Sequence, residues 1–353
     1  VSQGLRVGAV SEFTDPVAAL REIAYLMDRA RADTHRVKAY RRAAAVVAGL
    51  SARDRAAHET VGDWTSVPGL GPKTAAVVRQ ALAGRIPDTL ARLRSEKAPL
   101  TTGGHLLWDA LRGDLHVHTL WSDGGADLDE MAVAEQQLGR EYIAITDHSP
   151  RLRIARGLSA DRLREQWDAI ADLNEALGGF RVLRGIEVDI LADGSLDQAP
   201  ELLAGLDVVV ASVHSGLQMD RESMTHRMVA AIAHPRTNVL GHCTGRLLGG
   251  ERGVRGESVF DAEVVFAACA QFSVAVEINS RPERCDPPNR LLSLAAEMGC
   301  LFSIDTDAHA PGQLEFGWYG CDRAERHGID ADRIVDTWPV ERLLDWTASA
   351  TRG

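Results

Sequence analysis

Lysine is nearly missing from this chain of 353 residues: Lys38, Lys73 and Lys97 are the whole supply, and all lie within the first hundred positions. A mechanism that needs a lysine amine therefore has three candidates. Cysteine is also sparse. Cys243, Cys269, Cys285, Cys300 and Cys321 form no C-x-x-C pair, and an odd number cannot all pair within the chain. That excludes a disulfide framework and fits free buried thiols in a reducing cytoplasm. Apolar runs are short, and none approaches the roughly 20 residues of a membrane helix. Val1 to Phe13 shows neither the basic start nor the apolar stretch of a signal peptide, so a cytoplasmic location without membrane association is expected. What remains is ordinary for a globular protein, at 45% hydrophobic and 25% charged residues. The length favours two domains.

The net charge of −11 argues against nucleic acid until its distribution is considered. Residues 1–100 hold 16 Lys+Arg against 10 Asp+Glu, whereas the remainder holds 23 against 40. Such asymmetry predicts different partners for the two parts.

The basic part reads as helices. Asp15-Pro16 supplies a cap and first turn for an amphipathic helix carrying Val17, Leu20, Ile23, Ala24 and Met27. A second helix, over residues 36–50, bears Arg36, Lys38, Arg41 and Arg42, and residues 54–63 form a short helix or turn. Val67-Pro68-Gly69-Leu70-Gly71-Pro72-Lys73-Thr74 then precedes an apolar-periodic helix over 75–83. Two glycines at a helix start leave backbone N–H groups open to an anion, and Lys73 adds charge. No strand precedes them, which excludes a dinucleotide fingerprint. The stretch resembles a helix-hairpin-helix, a module that grips DNA phosphates without reading sequence. With Arg36-Val37-Lys38-Ala39-Tyr40-Arg41-Arg42 it is similar, over residues 14–95, to the N-terminal lyase domain of family X DNA polymerases. The resemblance implies DNA contacts at Lys38, Arg41, Arg42, Gly69, Gly71 and Lys73. In lyase-active relatives the Schiff-base lysine lies six residues beyond the second glycine; here that position is Val77. Residues 1–13 read as a tail, 14–96 as the DNA-binding domain and 97–111 as a linker.

From residue 112 to 353 strands and helices alternate. Strands are predicted at 113–118, 142–146, 181–188, 207–213, 238–242, 274–279 and 300–305, with helices between them. Seven such units predict an α/β protein with a distorted, closed (β/α)7 barrel whose site lies at the strand C-termini. In Gly113-Asp114-Leu115-His116-Val117-His118 the two imidazoles project to one side of a strand, with Asp114 beside them. Paired imidazoles of this kind are metal ligands. Other strand ends repeat the pattern: Asp123 follows the first strand, His148 ends the second and Glu187 lies on the third. His214 and His242 end the fourth and fifth, and Asp307 and His309 follow the last.

Together GDLHVHTLWSDG, AITDHS, GIEVDI, SVHSG, GHCTGRLLG, EINSR and DTDAH resemble the PHP (polymerase and histidinol phosphatase) family, most of all the PHP domain of bacterial family X polymerases. The resemblance implies three divalent metals, of Mn2+, Zn2+ or Fe2+ type. His116, His118, Glu187 and Asp307 would hold the first, and Glu187, His214 and His242 the second. Asp123, His148 and His309 would hold the third, with Asp123 standing where many relatives have histidine. No room exists between the two domains for a nucleotidyl-transfer domain, so polymerase activity is not expected.

The expected chemistry is metal-assisted hydrolysis of a phosphoester, with Arg246 and Arg281 as candidate phosphate clamps. The expected substrate is DNA, through 3′-to-5′ exonuclease or 3′-end-processing action. Two alternatives are a small phosphate monoester such as histidinol phosphate, and a non-catalytic DNA-binding module.

Overall fold

Local signals place the first helices where the sequence puts them. In the computed structural model, which describes residues 15–250 and 253–349, Asp15 caps helix α1 (Pro16–Arg29) by accepting the Ala18 N–H. Asp33 caps α2 (Thr34–Gly49) and Ser51 caps α3 (Ala52–Val61). Helix α4 (Pro72–Leu82) starts three residues earlier than its apolar periodicity indicates, because Pro72 suits a first turn and Thr74 Oγ1 accepts the Gly71 N–H. Helix α5 (Asp88–Glu96), which periodicity did not single out, follows. Leu20, Ile23, Val37, Tyr40, Ala43, Trp64, Val77, Val78 and Leu90 form the core of this unit. The predicted tail, residues 1–13, lies outside the described residues.

The chain divides into a first unit up to Pro99 and a second from Leu100. The predicted linker over 97–111 needs correction. Helix α6 (His105–Ala110) occupies much of it and belongs to the second unit. Its first N–H groups have a tertiary acceptor, since Glu325 accepts from Gly104, Leu106 and Leu107. Trp108 stacks on Trp318 with ring centroids 4.4 Å apart. Neither partner is visible in a local window.

The second unit is built on parallel strands. In chain order these elements are β1 (Gly113–Val117), α7 (Leu128–Gln137), β2 (Tyr142–Ile145), α8 (Ala160–Ala176), β3 (Arg181–Asp189), α9 (Pro200–Ala204), β4 (Val208–Ser212), α10 (Arg221–Ile232) and β5 (Val239–Leu240). A short antiparallel hairpin, β6 (Leu247–Leu248) with β7 (Val254–Arg255), interrupts the alternation. Then come α11 (Ala262–Gln271), β8 (Ala275–Asn279), α12 (Asn289–Glu297), β9 (Phe302–Asp305), α13 (Gly317–Arg326) and α14 (Val340–Ala348). The sheet order β1-β2-β3-β4-β5-β8-β9 makes a seven-stranded (β/α)7 barrel. β1, β2, β4, β8 and β9 are buried throughout, as strands covered on both faces must be.

Carboxylates close the barrel seam. Val117 bridges to Ala308 in parallel fashion, and the His118 N–H donates to the Ala308 carbonyl at 2.8 Å. Further down, the Leu115 N–H donates to Asp305 Oδ1 (2.8 Å), and Thr306 Oγ1 donates to Asp114 Oδ2 (2.5 Å). Side chains thus replace ladder bonds where β9 meets β1. Asp114, adjacent in sequence to the paired imidazoles, is a seam residue.

Candidate metal centre

Glu187 stands at the C-terminal end of β3, and five imidazoles surround its carboxylate. Its Oε2 lies 3.4 Å from His116 Nε2, 3.6 Å from His118 Nε2 and 2.8 Å from His148 Nδ1. Its Oε1 lies 3.1 Å from His214 Nε2 and 2.8 Å from His242 Nε2. These histidines come from β1 and from the ends of β2, β4 and β5, so four chain segments converge on one carboxylate of a fifth. Asp307 follows β9 with φ +51°, a left-handed backbone that aims the side chain inward. Its Oδ1 lies 3.4 Å from His118 Nε2. Asp123 Oδ1 lies 3.4 Å from both His148 Nε2 and His309 Nε2.

All nine sequence-predicted ligands therefore meet in one place. Three sets have ligand atoms close enough to hold a cation: His116, His118 and Asp307; His148, Glu187 and His214; and His118, Asp123, His148 and His309. The grouping differs from the expected one: Glu187 is absent from the first set, His148 stands in the second in place of His242, and His118 joins the third. His148 faces Asp123 with one nitrogen and Glu187 with the other. His242 is tied to the group through Glu187 Oε1.

The donor set fits divalent metal ions on a physical test. His116 Nε2, both nitrogens of His118 and of His214, His148 Nδ1 and His242 Nδ1 are buried without a hydrogen-bond partner. Buried polar atoms in this condition are costly, and native interiors rarely keep them. Several nevertheless lie near a carboxylate oxygen, out of hydrogen-bond alignment. Two ligand atoms each about 2.1 Å from one ion sit roughly 3.0–3.4 Å apart, which is the spacing seen here.

Two family signatures accompany this geometry. Residues 114–257 match the PHP domain, and residues 14–85 match a helix-hairpin-helix domain. Residues 114–257 thus carry the PHP domain. Over 226 residues the chain is 39% identical to a Bacillus subtilis protein described as DNA polymerase/3'-5' exonuclease PolX, covering 64% of this chain and 39% of that one. The chain thus spans about two fifths of that relative's length. A probable phosphatase of Serratia proteamaculans is 29% identical over 245 residues, covering 66% of this chain and 92% of that protein. A solved histidinol phosphate phosphatase from Lactococcus lactis, complexed with zinc, L-histidinol and phosphate, covers 61% of this chain and 92% of its own at 18% identity, with a TM-score of 0.44.

Within the PHP barrel, burial and neighbouring charge sort the candidate ligands into two kinds. Burial, aided by His309 and His148, pushes His118 down to about 3. Burial, aided by Arg284, lowers His242 to about 4. Both are neutral near pH 7, with a lone pair ready. Burial also opposes charge on His116, His148 and His214, but Glu187 together with Glu277, Asp123 and Asp189 respectively outweighs it and raises all three, His148 to about 10. Burial opposes charge on Glu187, Asp307 and Asp123 as well. His214 and His116 hold Glu187 well below the usual carboxylate range. Arg284 does the same for Asp307, and hydrogen bonds from His148 and His309 do so for Asp123.

Sequence reasoning missed the supports of these ligands. Glu277 on β8 is fully buried and lies 2.6 Å from His116 Nδ1, leaving Nε2 to face Glu187. Its other oxygen accepts the His242 N–H. A carboxylate holding the far nitrogen of a ligand histidine fixes its tautomer and orientation. Asn279 Nδ2 reaches Glu277 at 3.2 Å and Asp307 at 3.3 Å. Arg284 Nε donates to Asp307 Oδ2 at 2.9 Å. Asp189 Oδ1 accepts the His214 N–H at 3.1 Å. The two-residue period of β8 could have singled out Glu277 and Asn279, which share a barrel-facing side. Nothing local marks Arg284 over Arg281.

The arginine expectations divide. Arg246 donates to the carbonyls of Arg284 and Cys285 and lies 3.6 Å from Glu257, so it ties loops together and is not available as a phosphate clamp. Arg281 does lie at the centre, with Nη1 2.9 Å from both the Asp307 carbonyl and His309 Nδ1. Cys243 is buried against Asp286, and all five cysteines are free thiols.

In the helical unit, Lys38, Arg42, Gly69, Gly71 and Lys73 are exposed. Gly69 has φ +98°, and an added Cβ there would lie 3.5 Å from Arg42 Nε, so the glycine turn and α2 share one basic surface. Arg41 differs. Its guanidinium turns inward to pair with buried Asp28, which makes it a support and not a free DNA contact.

Proposed function

We propose that this chain is a metal-dependent phosphoesterase acting on DNA ends, by 3′-to-5′ exonucleolytic or 3′-end-processing hydrolysis. The observation that carries the hydrolytic part is the convergence of five imidazoles on Glu187, with Asp307 and Asp123 alongside. His116, His118, Glu187 and Asp307 would hold one ion, Glu187, His214 and His242 a second, and Asp123, His148 and His309 a third. Mixed imidazole and carboxylate donors suit Mn2+, Zn2+ or Fe2+. Such ions, when bound, supply Lewis-acid charge to a phosphoryl group and ease deprotonation of water near neutral pH.

The chain's own residues do the rest. Neutral His118 and His242 offer lone pairs without first losing a proton. Glu187, Asp307 and Asp123 stay ionised and offset cationic charge. Glu277 holds the His116 ring, and Arg284 holds Asp307. Arg281 is the remaining candidate to meet a phosphate oxygen. For DNA, the support is the basic surface of Lys38, Arg42 and Lys73 around the glycine turn, because backbone-phosphate contacts need fixed cations and open N–H groups. Residues 14–96 would bind DNA while the barrel hydrolyses it.

A second reading has its own support. Outside the first hundred residues the chain holds 23 Lys+Arg against 40 Asp+Glu, a balance that repels a polyanion and tolerates a small monoester. Purified chain with Mn2+ is to be assayed on a 3′-labelled duplex and on histidinol phosphate. Shortening of the labelled strand supports the DNA reading. Turnover of histidinol phosphate with an intact duplex replaces it with the second.

A further inference from the structure

Two loops frame the most exposed corner of the metal centre. One runs from the end of β1 through Asp123, whose side chain is 35% exposed. The other runs from His148 to Leu158. Its start is held by Asp197, which accepts from Ser149 Oγ and the Arg151 N–H. Its end returns to the site, with the Leu158 N–H donating to the His148 carbonyl at 2.8 Å. Gly157 packs so tightly under Ser149 that a Cβ would strike the Ser149 carbonyl.

Arginines lock the two loops to each other. Arg156, at φ +57°, donates to the carbonyls of Leu120 and Ser122. Arg162 donates to the carbonyls of Trp121 and Arg156. This rigid rim nevertheless displays apolar surface. Ile154, on the single turn Arg153–Ala155, is 94% exposed, and Leu120 on the adjoining loop is 44% exposed. Pro150 to Gly157 contains Arg151, Arg153 and Arg156 and no carboxylate, within a strongly acidic barrel. Arg156 is spent on the loop lock. Arg153 is exposed, and among the described residues its guanidinium has no protein partner.

An exposed isoleucine next in sequence to an exposed arginine, on a loop that Arg156 ties to the segment carrying Asp123, has a definite chemical complement. A nucleic-acid strand presents a base face and an anionic phosphate at every step. Aliphatic side chains such as Ile and Leu serve as wedges against bases, and arginines take the phosphates. We propose that Ile154 and Leu120 seat the nucleobase next to the scissile phosphodiester, and that Arg153 takes the adjoining phosphate. The rim would then be what makes the barrel prefer a strand end to a small monoester. This rests on the DNA reading above and locates its specificity in the barrel itself.

The test uses the full chain with Mn2+, comparing Ile154→Ala and Arg153→Ala with wild type. Two substrates are measured side by side: a 3′-labelled oligonucleotide and a chromogenic phosphoester. The ratio of kcat/KM for the oligonucleotide to kcat/KM for the small ester is expected to fall about tenfold in each variant, through KM, which corresponds to about 1.4 kcal/mol of binding. A ratio unchanged in both variants, with wild type processing DNA, overturns the rim assignment and leaves the DNA reading standing. A wild-type chain that turns over the small ester and leaves the oligonucleotide intact overturns both.

Discussion

Glu187 carries a single negative charge at the meeting point of five imidazoles, and that imbalance decides what individual substitutions do. Asp307 is the other deeply buried carboxylate among the candidate ligands. Asp307→Asn removes its charge but keeps a side chain that tolerates the left-handed backbone found there. Hydrolysis is expected to drop by more than the roughly 10–100-fold typical of outer supporting residues, with unchanged circular dichroism and less bound metal by elemental analysis. Full turnover at full metal content would remove Asp307 from the ligand set. In the helical unit, burial raises the Asp28 carboxyl from 3.8 to about 6, and Arg41 limits the rise. The folded value exceeds the unfolded one, so the protonated form favours folding. That contribution is complete below about pH 4 and fades as pH rises through about 6. Carbon-detected NMR should give Asp28 a midpoint well above that of the exposed aspartates, and Asp28→Asn should flatten the pH dependence of unfolding in that window. A midpoint in the ordinary aspartate range would contradict the burial argument.

At the scale of elements, the two glycines of the hairpin turn have unequal duties. Gly69 sits at φ +98°, and a Cβ there would meet Val46 Cγ2 at 3.1 Å. Gly71 has φ −93°, and a Cβ there meets nothing within 4 Å. Gly69→Ala should therefore cost about 1–2 kcal/mol of stability, and Gly71→Ala less than about 0.5 kcal/mol, both measured by denaturant unfolding. Equal costs would mean that the turn is held by something other than backbone conformation. Barrel strands were legible because each is a short apolar run bounded by turn residues and followed by a helical period. The strands of the hairpin β6–β7 are only two residues long, too short for any period to show. Helix α6 escaped notice for a different reason. Glu325, more than two hundred positions away, accepts the N–H groups at its start.

For the whole molecule, cation binding and folding should be linked, because several buried histidine nitrogens lack a hydrogen-bond partner. An ion at a hundred times its dissociation constant adds about 2.7 kcal/mol. Adding Mn2+ or Zn2+ to chelator-treated protein is expected to raise Tm by at least several degrees, since each kcal/mol is worth roughly 2–4 °C in a domain of this size. An unmoved Tm would argue that the centre binds no ion. The resemblance to a lyase domain should carry no lyase activity. Val77 occupies the Schiff-base position and is 1% exposed in the helical core, and Lys73 lies at the exposed start of α4. Borohydride treatment with incised abasic DNA is expected to trap no adduct. An adduct lost in Lys73→Ala would give the chain a second active site.

The sequence alone determined the fold class, the seven strands and the nine ligand candidates. Strand period and strand ends are local properties, and His, Asp and Glu at the C-terminal ends of parallel strands must share one barrel mouth. Only tertiary structure decided what each polar side chain faces. Arg41 turned to Asp28, Arg246 to backbone carbonyls and Asp114 to the barrel seam, while Glu277 took up His116. A buried charge must find its partner wherever the fold supplies one, 13 positions away for Arg41 and Asp28 and 161 for His116 and Glu277.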